Sequence, residues 1–392
     1  MKPISVPVFA VVAASPLAML LLASLWGGVW VWVALAYMAL ATVAVDSLLP
    51  WAAGEPEAAG EAGAVAGAVA EAGAAAEAAA EAEAGEFPAA DTLLAVLGIG
   101  ALLALPVLVR VVAGPGDLGL GGRLALFLAG GLWFGQVAHP AAHELIHRRG
   151  RLLYGLGVAV YAVLLFGHHA SAHRLVHHRD VASGLDPNSA RLGEGYYRFL
   201  ARAWPGSIRA GFAAERALRG GHGLRGSGGL RGSGRLRGSA GLRGSWGLNP
   251  YDIYAGGAVL GLGLGFAIAG WPGLLVWAAF GLHFGAQVLL SDYVQHYGLA
   301  RAMMGAGAKL EPVGLAHSWN APHWFSSALM LNATRHSDHH GHPARAYPAL
   351  QLAPGAPMLP WPLPVACLVA LFPRRWRRVM QPLVAGVART KP

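Results

Sequence analysis

The stretch Ala142-His-Glu-Leu-Ile-His-Arg-Arg149 ends a long apolar run and places two histidines four residues apart. On a helix, residues i and i+4 share a face, so His143 and His147 can bind one metal ion from the end of a membrane helix. The same HExxH spacing occurs in zinc metalloproteases, so the motif by itself leaves the metal open.

Two further clusters follow, His173-Arg-Leu-Val-His177-His178 and His336-Ser-Asp-His339-His340. A zinc hydrolase site needs three protein ligands and an open position, and the eight histidines of the three boxes exceed that need several-fold. Imidazole also suits iron and copper, which favours a site with room for two metal ions. Placement on solvated loops is the alternative, but all three boxes repeat helical spacing.

The composition indicates an integral membrane protein, and its apolar runs predict an all-α fold. Of 392 residues, 55% are hydrophobic and only 12% are charged, about half the charged fraction of a soluble domain. The single cysteine, Cys367, excludes intrachain disulfides and CxxC sites, so any electrons must come from elsewhere. The net charge of +9 resides largely in arginines beside apolar spans, which we interpret as facing anionic lipid rather than nucleic acid.

Six apolar segments approach the roughly 20 residues that a membrane helix needs, and they pair into three hairpins. They are Val8–Leu25 with Val29–Val45, Leu93–Val112 with Leu124–His139, and Ile253–Ala269 with Leu274–Leu290. Two shorter runs, Leu152–Gly167 and Pro362–Phe372, are predicted to be re-entrant, interfacial or buried. If the first of them crossed, it would put the first two histidine boxes on opposite faces of the membrane.

The placement of arginine predicts the orientation. Sixteen arginines and no lysine lie between Arg148 and Arg243, and Arg374-Arg375-Trp-Arg-Arg378 adds four more. By the positive-inside rule both segments are cytoplasmic, which puts both termini and every histidine box on that side of a bacterial inner membrane.

The chain is interpreted as one domain, residues 1–392, with two low-complexity inserts. Residues 54–85 are almost entirely Ala, Gly and Glu, and residues 218–245 repeat the unit Leu-Arg-Gly-Ser. Neither has enough large apolar side chains to build a core, although the second could offer an arginine-rich surface to lipid or an acidic protein.

Two polar motifs lie near the predicted depth of the first box. The motif Ser291-Asp-Tyr-Val-Gln-His-Tyr-Gly-Leu299 follows the sixth span, so His296 should emerge at the depth of His143 and His147. The motif His317-Ser-Trp-Asn-Ala-Pro-His323 comes just before the third box.

Together the motifs HELIH, HRLVHH, DYVQHYGL, HSWNAPH and RHSDHH resemble the membrane-bound alkane 1-monooxygenases, within the wider fatty acid desaturase and hydroxylase superfamily. The flank Asp186-Pro-Asn-Ser-Ala190 matches as well. The resemblance runs from the first hairpin to about Val384, apart from the two inserts.

The resemblance implies six membrane helices around two non-haem iron ions. It implies nine ligands: His143, His147, His173, His177, His178, His296, His336, His339 and His340. The expected reaction inserts one oxygen atom of O2 into the terminal C–H bond of an n-alkane or similar apolar chain, giving a primary alcohol. Rubredoxin or ferredoxin, with an NAD(P)H-dependent reductase, would supply electrons; no fused rubredoxin is expected, because that centre needs four thiolates.

The sequence departs from the family pattern at two positions, where Ala172 and Gln295 replace glutamates beside ligand histidines. Carboxylates at such positions orient the imidazole and raise its basicity. Glu144 and Asp338 remain as candidates for that role, Gln295 can still accept a hydrogen bond, and His317 is a further candidate catalytic group.

Two other functions stay open. A related membrane diiron hydroxylase or desaturase could act on a fatty acyl, terpenoid or other lipid substrate. A metal transporter or store would instead place its ligands along a path within the spans, and their clustering at one face argues against it.

Overall fold

The computed structural model describes residues 4–48, 87–220, 249–304 and 309–390. The first insert, residues 54–85, lies outside the described residues, and so do residues 221–245 of the second. The helices are α1 Val6–Trp26, α2 Val29–Leu48, α3 Pro88–Ala113, α4 Leu120–Trp133, α5 His139–His147, α6 Arg151–Val163, α7 residues 169–180, α8 Tyr196–Gly220, α9 Pro250–His296, α10 Trp324–Leu329, α11 His336–Gly341, α12 Leu363–Ala370 and α13 Pro373–Thr390. A small hairpin pairs β1 Met303–Met304 with β2 Lys309–Leu310.

Five of these helical segments are long and apolar enough to cross a membrane, and all six predicted spans lie within them. They are α1, α2, α3, the continuous segment Leu120–His147 and α9. Helices suit this role because all their backbone hydrogen bonds are internal, so no polar backbone group is left facing lipid. The prediction of a helical membrane protein is confirmed.

Helix α9 is not one straight rod. Its 47 residues would extend about 70 Å, more than twice the hydrocarbon thickness. The backbone leaves helical geometry at Ala269 and Gly270, and Gly270 has a φ of 61°. Beyond this point the chain returns along itself: a Cβ on Gly265 would lie 2.9 Å from the carbonyl oxygen of Gly273. The turn falls where the third hairpin was predicted.

The first hairpin turns in the same way. Gly27 and Gly28 have φ values of 58° and 53°, a region that glycine enters without steric cost. The two helices then pack along each other, and the Ser15 and Tyr37 hydroxyls form a 2.7 Å hydrogen bond between them.

The two shorter apolar runs form helices that are too short to cross. Helix α6 has 13 residues and α12 has 8, or about 20 Å and 12 Å of length. Helix α6 packs against α3, α5 and α9, and the Trp277 indole of α9 donates a 2.8 Å hydrogen bond to the carbonyl of Val163 at its end. A short α6 leaves the first two histidine boxes at one level.

The segment that carries the third box is anchored to the first hairpin. Asp46, near the end of α2, is buried and accepts the backbone N–H groups of Phe325 and Ser326 at 2.7 and 3.1 Å. These are two of the otherwise unpaired donors at the start of α10. A carboxylate 279 residues away in sequence therefore fixes the segment that precedes α11.

We expect Gly273→Ala to separate the two arms of α9, because the new methyl group would overlap the carbonyl oxygen of Gly265. Overpacking of this kind costs about 1–3 kcal/mol, which would lower the thermal unfolding midpoint in detergent. The matched control is Gly263→Ala, where the added carbon meets no atom within 4 Å. Equal midpoints for the two variants would contradict close packing at Gly273.

Candidate metal centre

Four elements bring nine histidine side chains together at one end of the helical bundle. Helix α5 contributes His143 and His147, α7 contributes three, α9 ends in His296, and α11 contributes three. The remaining histidines of this set are His173, His177, His178, His336, His339 and His340. These are the nine positions that the family resemblance implies as ligands, and no other residue joins the two groups that they form in the described part of the chain.

Widened helical turns adjust the directions of the histidines in the first two boxes. A π-helical turn, Phe134–Ala138, precedes α5, and a second one, His173–His177, carries the second box itself. In the second turn the His178 N–H donates to the carbonyl of His173, five residues back. An α-helix would place these two side chains about 140° apart, whereas the wider turn lets both face one point.

The histidines form two groups. Group one contains His143, His147, His173, His178 and His339; group two contains His177, His296, His336 and His340. Within each group the candidate ligand nitrogens all lie within 4.8 Å of one another.

Several nitrogens approach much more closely than this limit. In group one, His173 Nε2 lies 2.7 Å from His143 Nε2 and 2.8 Å from His178 Nε2. In group two, His336 Nε2 lies 3.0 Å from His296 Nε2 and 3.1 Å from His340 Nε2.

The two groups are neighbours, because α7 and α11 each contribute to both. The ring centroids of His178 in group one and His340 in group two are 4.7 Å apart, and those of His339 in group one and His340 are 5.9 Å apart. The arrangement therefore offers two adjacent metal positions rather than one.

Burial keeps most of these rings neutral. Desolvation lowers the pKa of His339 to about 3, and with nearby histidines it holds the pKa values of His173 and His178 well below the ordinary value. The same causes lower the pKa values of His336 and His340. Neutral imidazole has the lone pair that a metal ion requires.

The donor set fits two metal ions. The imidazole nitrogens that lie 2.7–3.1 Å apart cannot all be hydrogen-bonded to one another at the same time. Among the described residues, the buried His147 Nε2 and His177 Nε2 have no hydrogen-bond partner. An unpaired buried polar atom costs about 1–3 kcal/mol, so bound cations would satisfy atoms that the protein leaves unsatisfied.

Asp186 orients His177, a role that the sequence analysis did not assign. Its carboxylate lies 2.8 Å from His177 Nδ1, and both side chains are 1% exposed. Burial by itself would raise the pKa of Asp186. Contacts with His177, the Ser189 hydroxyl and the Asn188 N–H outweigh this effect, so the pKa lies below its ordinary value and the carboxylate stays ionised. His177 Nε2 is thereby directed into group two. The sequence did contain an indication of this role, because Asp186 is an acidic residue that follows the second box closely, in the flank that ends at Ala190.

His296 is oriented by a backbone group. Its Nδ1 lies 3.0 Å from the carbonyl oxygen of His317, while the His317 ring lies 2.5 Å from Glu311 through Nε2. The Gln295 amide turns elsewhere: its oxygen accepts from Ser291 and its nitrogen donates to the carbonyl of Ala333. The predicted site residue His317 thus contacts the ligand candidate His296 through its backbone carbonyl and not through its ring.

The two candidate carboxylates have different surroundings. Glu144 is buried, with one oxygen 3.9 Å from His339 Nδ1 and the other 3.4 Å from Arg148. Asp338 accepts hydrogen bonds from His342, Arg345 and the backbone N–H of Gln351. Glu144 therefore faces group one, whereas Asp338 holds the chain that follows α11.

We expect Asp186→Asn to weaken metal binding at group two by about 10- to 100-fold, because His177 loses the carboxylate that orients it and raises its basicity. Competition with a chelator would measure the change. Asp180→Asn is the matched control, since that carboxylate pairs with Arg179 outside both groups. Unchanged affinity in Asp186→Asn would contradict the assigned role.

Known proteins similar to this chain agree with the family that its motifs predict. A family model described as fatty acid desaturase matches residues 120–358. The chain is 34% identical to an alkane 1-monooxygenase of Pseudomonas putida over 266 residues, 68% of this chain and 61% of that protein. It is 35% identical to one of Ectopseudomonas oleovorans over 255 residues, 64% of this chain and 58% of that protein.

The chain thus spans about three fifths of the length of these relatives. The matched family region contains the first box, the second box, His296 and the third box. The chain belongs to the fatty acid desaturase family, and the likeness to alkane 1-monooxygenases that its motifs predicted is confirmed.

Proposed function

We propose that the protein is a non-haem diiron monooxygenase that converts the terminal methyl group of an n-alkane, or a similar apolar chain, into a primary alcohol. The observation that carries the proposal is the pair of adjacent, buried histidine groups, which offers two metal positions close together. The likeness to alkane 1-monooxygenases supports the choice of reaction.

Iron is the proposed metal, with five histidines of group one at one position and four of group two at the other. Bound there, iron would supply the oxygen-activating redox chemistry that no side chain of this protein can provide. The net reaction consumes the substrate, O2, two electrons and two protons, and it releases the alcohol and one water molecule.

The protein's own residues would hold the ligands in position and keep the site dry. Asp186 fixes the tautomer and ring direction of His177, and the His317 carbonyl does the same for His296. We infer that Glu144 polarises His339 across the 3.9 Å gap. Burial of the rings excludes bulk water, which would otherwise compete with an apolar substrate.

We further propose that residues 1–392 act as one catalytic domain with six spans, counting the two arms of α9 separately. The arginine-rich segments favour a cytoplasmic location for both termini and for the histidine groups. In a bacterial inner membrane, an apolar substrate would enter from the lipid. Rubredoxin or ferredoxin, with its NAD(P)H-dependent reductase, would approach from the cytoplasm.

A second candidate is a hydroxylase or desaturase of a fatty acyl or other lipid chain. The match to a model described as fatty acid desaturase favours it, because the same metal positions could serve a different substrate. Hydroxylation would yield an alcohol and desaturation an alkene.

The test is oxidation of a medium-chain n-alkane by the purified, iron-loaded protein with rubredoxin, its reductase and NADH. Iron is counted on the same sample and products are separated by gas chromatography. We expect two irons per chain and a terminal alcohol. Two irons without alcohol would leave the metal positions intact and favour the lipid-chain alternative.

We expect His336→Ala to lower iron content and to reduce hydroxylation by about 100-fold or more, because one of four group-two nitrogens is lost. Iron analysis and product formation would measure both effects. His342→Ala is the matched control: this histidine belongs to neither group and its side chain is 42% exposed. Full activity in His336→Ala would overturn the assignment of group two.

A further inference from the structure

The β1–β2 hairpin is attached to the residues that follow the second box. Arg301 donates to the carbonyl of Arg179 at 3.0 Å through its side chain, and to the carbonyl of Ala182 at 2.8 Å through its backbone. Glu311, just after β2, donates its N–H to the carbonyl of Ala302. The hairpin is thereby held next to the end of α7.

This region exposes apolar side chains beside basic ones. Met303 and Met304 are 57% and 52% exposed, and Leu315, four residues after Glu311, is exposed as well. Lys309 pairs with Met304 across the hairpin. The Arg179 side chain is 65% exposed. We call Arg179, Met303, Met304, Lys309 and Leu315 the hairpin face. Methionine and arginine are enriched in protein interfaces, and exposed methionines adapt readily to a partner.

The hairpin face is connected to both histidine groups. Arg179 follows His178 of group one directly in the chain. On the other side, the Glu311 carboxylate lies 2.5 Å from His317 Nε2, and the His317 carbonyl oxygen lies 3.0 Å from Nδ1 of His296 in group two. Electron transfer is faster along covalent and hydrogen bonds than across the same distance of empty space. The Arg179–His178 link and the Glu311–His317–His296 contacts therefore both favour electron entry at the hairpin face.

The charge around this face selects the partner. Among the described residues from Arg148 to Thr390, the exposed charged side chains are basic, with Asp252 the single exposed acid. Asp180, which pairs with Arg179, is itself buried. An acidic protein would therefore be attracted and oriented by this surface.

We propose that the hairpin face is the docking surface for an acidic, one-electron carrier protein, and that electrons enter through the His317–His296 link. The inference rests on the proposed function, because a monooxygenase that consumes two electrons per turnover needs such a donor. Each docking event would transfer one electron from the carrier's metal, which is oxidised, to iron held by the histidine groups, which is reduced. Two events supply the electron pair that the net reaction consumes.

The test measures the binding of an acidic rubredoxin to the full chain in nanodiscs of neutral lipid, at about 0.02 M and 0.5 M salt. The variants are Met304→Glu, which places a negative charge at the apolar centre, and Lys309→Glu. We expect each variant to raise the Kd about tenfold at low salt, and the effect of Lys309→Glu to shrink at high salt.

Arg375→Glu on α13 is the matched control, since it reverses a positive charge on an exposed side chain outside the hairpin face. We expect its Kd to change by less than about twofold. An unchanged Kd in Met304→Glu and Lys309→Glu, or an equal loss in Arg375→Glu, would overturn the docking surface.

A small chemical reductant in place of rubredoxin separates the two hypotheses. With dithionite, the iron-loaded Met304→Glu protein should form alcohol at the rate of the unaltered protein, because Met304 lies outside the metal groups. Absence of alcohol from both proteins under these conditions would count against the proposed function. The Kd measurement does not depend on that outcome.

Discussion

The structure depends on the burial of nine imidazoles with too few hydrogen-bond partners. Their nitrogens converge to 2.7–3.1 Å within two adjacent groups, and atoms such as His147 Nε2 and His177 Nε2 find no partner among the described residues. Each such atom costs about 1–3 kcal/mol, and bound cations would remove this cost. The same burial lowers the pKa of His339 to about 3, which keeps its lone pair available.

The rest of the fold maintains this convergence. The helices α5 and α9 end at the depth where His147 and His296 are needed, and α6 stays too short to carry the second box across the membrane. Asp46 fixes the start of α10 from the end of α2, so the first hairpin supports the segment that leads to the third box. Packing in the apolar region and positioning at the polar end are therefore parts of one architecture.

Charge is distributed in a way that suits both a membrane and the proposed electron donor. Buried acids such as Asp186 and Glu144 face the metal positions or their supports, while the exposed charges beyond Arg148 are almost all basic. Basic residues outside the apolar spans fit anionic lipid and an acidic partner, and they leave the interior with few unpaired charges. The hairpin face lies where this basic surface comes nearest in sequence to His178.

The sequence by itself indicated the membrane class, the family and the nine histidines that the structure brings together. Periodicity and apolar length are local properties, so they also located the helices and the turn at Gly270. Only the tertiary structure decided how the histidines divide, since His177 and His178 are adjacent in the chain yet belong to different groups. It also made Asp186 the partner of His177. The Gln295 amide instead bonds to the Ala333 carbonyl, and the Asp338 carboxylate bonds to Arg345. Such choices depend on side-chain directions between elements far apart in sequence, and no local pattern encodes those directions.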